Sequence, residues 1–106
     1  MAKYLIQARY LEDGLKGLLK DGGSVRRAAV EKMCKSLGGT WESCHFGFGE
    51  FDIMGIADMP DNVSMSAVSL TVRATGLVDV KATTIMTPEE MDEVAKKSPT
   101  YRGPGQ

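Results

Sequence analysis

Along residues 3–10 the chain alternates, with Tyr4, Ile6, Ala8 and Tyr10 on one side and Lys3, Leu5, Gln7 and Arg9 on the other. A period of two places successive side chains on opposite faces and predicts a first strand. From residue 12 to 37 the apolar positions change to helical spacing in two pieces: Leu15, Leu18 and Leu19, then Ala29, Val30, Met33, Cys34 and Leu37. Gly22-Gly23 interrupts them, Ser24 is the expected cap of the second piece, and Gly38-Gly39 ends it. Residues 40–46 and 50–57 read as two further strands, turned by Gly47-Phe48-Gly49. Asp61 then caps a helix whose predicted packing stripe is Val63, Ala67, Leu70 and Ala74, stopped by Gly76. A fourth strand is predicted from Leu77 to about Met86. Thr87, Pro88 and Glu90 form a capping-box pattern that starts a helix over 88–97.

The resulting order, βαββαβ plus one short helix, predicts an α+β, ferredoxin-like unit: a four-stranded antiparallel sheet with two helices on one face. The opposite face carries apolar residues in either register. A second subunit laid across it would cover them, so self-association through the sheet face is expected.

Composition narrows the picture further. With 106 residues, 42% hydrophobic and 25% charged, the chain suits one globular domain with a modest core. We expect the folded unit over residues 1–86 and a C-terminal helix with a Pro/Gly-rich tail over 87–106, loosely ordered or lying across a neighbour. Thirteen basic against fourteen acidic residues leave a net charge of -1, which argues against a general nucleic-acid surface. Cys34 and Cys44 form no Cys-x-x-Cys pair, so reduced thiols and a cytoplasmic setting are expected. No apolar stretch is long enough for a bilayer, and the opening MAKYLIQARY turns polar too early for a secretory segment.

The stretch Gly49-Glu50-Phe51-Asp52 resembles the signature of the GYD domain family, with Phe51 in place of the usual tyrosine. Gly14, Arg26, Gly38-Gly39, Pro60-Asp61 and Gly76 follow that family's order, so the resemblance covers residues 3 to about 86. It departs from the pattern at Leu11, where a threonine often follows the first strand, and at Phe51, which removes a phenolic donor. The resemblance implies a dimeric α+β barrel, a group that includes small monooxygenases, isomerases and proteins without established chemistry.

Few residues suggest chemistry. The glycines of GFGEFD precede a strand rather than a helix, so they turn the chain and do not cradle a phosphate. Cys44 and His45 are strand neighbours that point to opposite faces, which disfavours a thiol–imidazole pair. His45 alone is a candidate acid or base, and so is Asp52, whose carboxylate sits among Phe51, Ile53 and Met54 and needs hydrogen bonds or a cation such as Arg9 or Arg26. Strand phase groups Trp41, Ser43 and His45, which with Tyr4 or Tyr10 can line an aromatic pocket, although such stripes are more often core or interface. Arg26, near a helix start, can meet an acidic ligand, although a solvated helix face explains it with less machinery. No metal cluster or cofactor motif is present in the sequence. The leading expectation is a homo-oligomeric structural or small-ligand-binding protein. The alternatives are a cofactor-light monooxygenase or isomerase of a small aromatic or unsaturated substrate, and a protein-interaction module.

Overall fold

The computed structural model describes residues 2–106. Its elements are β1 (Ala2–Tyr10), α1 (Glu12–Asp21), α2 (Gly23–Ser36), β2 (Thr40–Phe46), β3 (Ile53–Met59), α3 (Asn62–Ala74), β4 (Val78–Ile85) and α4 (Pro88–Lys97). The strands form one antiparallel sheet in the order β2-β3-β1-β4. β3 begins three residues later than the alternation suggests, because residues 47–52 form the connecting loop.

This architecture corrects the expected ferredoxin-like, dimeric α+β barrel. The sheet is open and non-sequential, and β2 and β4 remain as separate edges. Closing a barrel requires those edges to pair, and four strands of one chain leave both free. The two helical pieces expected between β1 and β2 are two separate helices that meet at Gly22, so the full order is βααββαβα. The fold is an α+β sheet with helices.

One face of the sheet holds the core. Ile53, Ala57 and Met59 of β3 alternate with exposed or half-buried neighbours and lie level with Ala8, Tyr4 and Ala2 of β1. Tyr4, Ala57 and Met59 pack with Cys34 of α2 and with Met65 and Val68 of α3 in one cluster. Ala8, Tyr10 and Ile53 form a second cluster, flanked by Leu18, Trp41, Cys44, Val78 and Val80. Each large apolar side chain buried this way contributes roughly 1.5–3 kcal/mol. The packing stripe of α3 is therefore Met65 and Val68, while the anticipated Val63 and Leu70 are 78% and 59% exposed. Apolar residues recur at helical spacing on both sides of this helix, so periodicity alone could not select the buried phase.

The helix ends follow local chemistry with one exception. Asp61 caps α3 by accepting from the Ser64 N–H at 2.8 Å. Thr87 and Glu90 exchange both capping-box bonds at 3.1 Å. Ser24 caps nothing. Gly22, at φ 84°, ends α1 through a bond from its N–H to the Leu18 carbonyl and also serves as the N-cap of α2, which leaves Ser24 inside the first turn.

The phase of β2 is set by a bulge. Trp41 pairs with Ala57 but Ser43 pairs with Ile56, so Glu42 is the extra residue. Trp41 and Cys44 consequently face the helices, whereas Ser43 and His45 face away with Ile56 and Met54. The expected grouping of Trp41 with Ser43 and His45 is thereby broken. The Ser43 hydroxyl accepts from the Ile56 N–H at 3.2 Å, and Glu42 turns to pair with Lys3 at 2.8 Å. That hydrogen bond, with the charge of Glu42, raises the Lys3 ammonium above its usual pKa.

The outer face of the sheet, with Leu5, Met54, Ile56 and Ile85 among Lys3, Gln7 and Lys81, is the side opposite this core. The C-terminal helix α4 contains no buried residue. The radius of gyration is 16.7 Å with a longest extent of 55 Å, against about 13 Å expected for a compact chain of this length. No helix among the described residues is long and apolar enough to cross a membrane.

Candidate functional site

Sheet and helices do not meet perfectly: between them lies a cavity of about 200 Å³. Its walls are apolar and come from both layers, with Ile6 of β1, Val30 and Met33 of α2, Val68 and Val72 of α3 and Val80 of β4 among them. A closed apolar space of about 150 Å³ is enough to hold benzene. The cavity therefore has room for a single-ring or short branched molecule.

Two residues of this wall carry a buried polar atom without a partner among the described residues. Trp41, the only tryptophan, lies across β3, and Gly55 makes that possible: a Cβ there would collide with the indole and with the Ser43 carbonyl oxygen. Arg26 reaches the cavity from the first turn of α2 and is its only charged lining residue among those described. The Trp41 Nε1 and the Arg26 Nε are both buried, and neither has a hydrogen-bond partner among the described residues. A buried donor left unpaired costs on the order of 1–3 kcal/mol, so each such group asks for an explanation.

An adjoining surface groove runs over α1 and the start of β4. It shares Tyr10, Arg26, Val72 and Val78 with the cavity and is also lined by Asp13, Asp21 and Leu77. Arg26 thus stands where groove and cavity meet. Gly14 brings α1 close enough to form this groove, since a Cβ there would overlap the Leu77 carbonyl.

The other expected site residues divide clearly. Tyr10 lines the cavity and the groove. Tyr4 is buried beside the cavity rather than in it, and its hydroxyl donates to Asn62 Oδ1, tying β1 to the start of α3. Asp52 holds the loop to β1: its carboxylate accepts from the Tyr10 N–H at 2.8 Å and its own N–H donates to the Ala8 carbonyl at 2.8 Å. His45 is exposed on the outer face, level with Met54. Neither Asp52 nor His45 lines the cavity. The structure therefore brings Tyr10, Arg26 and Trp41 together and leaves Tyr4, His45 and Asp52 outside.

The aliphatic wall was expected to be core packing and not a site. Its signal was present in the even positions of β1 and in Met65, Val68 and Val72, at spacings of three and four. Cys34 also faces the cavity, and burial pushes its thiol pKa up. Among the described residues no group of three or more His, Cys, Asp or Glu stands close enough to hold a metal ion.

The sequence model of the GYD domain matches residues 4–95, from the start of β1 into α4. The chain belongs to the GYD domain family. No curated protein and no solved structure matches it. In this GYD domain the stretch Gly49-Glu50-Phe51-Asp52 lies in the loop secured to β1 through Asp52, with Phe48 fully exposed at its tip. Gly14 and Arg26, two of the residues that carried the resemblance, lie at the groove and at the cavity wall. Gly39 packs closely on Met59 and the Asp58 carbonyl.

Proposed function

We propose that this GYD domain binds a small, largely apolar molecule in the cavity between its sheet and helices. The observation that carries the reading is the cavity of about 200 Å³, walled by aliphatic side chains from both layers. Close-packed interiors hold few voids larger than a water molecule. Such space in a small domain is costly unless something fills it.

Trp41 supplies the test, because it lines the cavity and is the only tryptophan. Titration with p-xylene, a neutral single-ring probe, should change the Trp41 emission saturably. A Val72→Phe substitution at the wall shared with the groove should abolish that change while thermal unfolding stays cooperative. An unresponsive wild-type protein at saturating p-xylene would refute the reading.

A second reading concerns assembly. Leu5, Met54 and Ile56 lie side by side on the outer sheet face, away from α2 and α3, and a second copy laid there would shield them. Light scattering on the full chain should then give a dimer or larger, and Ile56→Glu should shift it to monomer. A monomeric wild-type protein would refute this assembly. The free Cys34 and Cys44 favour a reducing, cytoplasmic setting for both readings.

A further inference from the structure

We infer that the ligand of this cavity is an apolar monocarboxylic acid, held through its carboxylate by Arg26 and Trp41. The inference rests on the small-ligand reading above and adds the chemical class. Both unpaired groups in the cavity wall are donors, the Arg26 Nε–H and the Trp41 Nε1–H, and both atoms are buried. Their natural complement is a group that only accepts. A carboxylate offers two acceptor oxygens, and a charge-assisted bond to guanidinium is stronger than a neutral one.

The rest of the wall sets the remainder of the molecule. Beyond Arg26 and Trp41 only Tyr10 and Cys34 bring polar atoms to the lining, and Ile6, Val30, Met33 and Val68 offer none, so the body of the ligand is apolar. The position of Arg26 between groove and cavity orients the acid, with its carboxylate toward the groove and its apolar body inside. The groove also carries Asp13 and Asp21, and the nearest cation to the Asp13 carboxylate is Lys16 at 3.9 Å. These carboxylates work against a ligand of higher negative charge and favour a monoanion over a phosphate or diacid.

The test uses two probes of matched shape, p-xylene and 4-methylbenzoate, each titrated against the 106-residue chain near neutral pH and followed by Trp41 fluorescence. The wild type should bind 4-methylbenzoate at least tenfold more tightly than p-xylene, and Arg26→Met should reduce that ratio to about twofold or less. Equal binding, or a preference for p-xylene, would overturn the acid assignment and leave the cavity reading standing. A preference that survives in Arg26→Met would also overturn it. If the wild type binds neither probe, both readings fail together. Should Arg26→Met not fold, the wild-type ratio decides alone.

Discussion

Replacing Gly55 by alanine probes the geometry on which the site depends. A Cβ at this position would fall within 3.0 Å of the Ser43 carbonyl oxygen and of two ring carbons of Trp41. The ring can swing aside, but the carbonyl belongs to the bulged backbone of β2, so the strand itself must move. Overpacking of this kind costs about 1–3 kcal/mol. The upper part of that range applies here, because backbone is involved and Trp41 loses its seat. Alanine also restricts the unfolded chain, which returns roughly 0.4–1 kcal/mol. The net expectation is a destabilisation of about 2 kcal/mol, or a fall in Tm on the order of 10 °C for a domain of this size. Urea unfolding followed by Trp41 fluorescence measures both the loss and the displaced indole, seen as a changed native emission. Gly49→Ala is the matched control. Nothing lies within 4 Å of a Cβ there, so the unfolded-state effect should leave it about 0.4–1 kcal/mol more stable. A Gly55→Ala protein as stable as wild type, with unaltered native emission, would refute the placement of Trp41 over β3 and with it the bulge.

Three further predictions follow from the same packing. Met59 is fully buried, so Met59→Ala should lose about 2–5 kcal/mol in denaturant titration, and a loss below 1 kcal/mol would contradict its central position. The hydrogen bond from Ser64 holds the Asp61 carboxyl below the usual carboxylate range. Its contribution to stability is complete above the unfolded pKa of about 3.9 and is lost as pH falls through the lower folded value. Asp61→Asn should therefore flatten the acid limb of the stability–pH curve, and an unchanged limb would refute the cap's role there. Cys34 is buried with a raised pKa whereas Cys44 is half-buried. Thiol labelling of the native protein should modify Cys44 first, with Cys34 reacting only on unfolding, and equal rates would contradict the burial of Cys34.

Several features were legible in the sequence because local chemistry alone decides them. Thr87 and Glu90 announce the start of α4, Asp61 that of α3, and the even positions of β1 announce its buried face. The phase of β2 was not legible. TWESCHF alternates acceptably in either register, and only pairing with β3 shows that Glu42 is bulged out and that Trp41 leaves the company of Ser43 and His45. The stripe of α3 failed for a related reason, since Val63 and Leu70 satisfy helical spacing as well as Met65 and Val68 do. Tertiary packing decided between equivalent patterns. The site was half visible: Arg26, Trp41 and Tyr10 were named, but a cavity is a property of two layers that meet imperfectly, and no single segment encodes it. The open sheet order likewise emerges only when the strands pair.

The placement of a bound molecule tests the account most directly. Methyl-resolved NMR of the wild-type protein with saturating p-xylene should give intermolecular NOEs to Val30, Val68 and Val80 in the cavity. Leu5 and Ile56, on the outer sheet face, should give none. NOEs confined to Leu5 and Ile56, or none at saturation, would contradict a ligand site between sheet and helices.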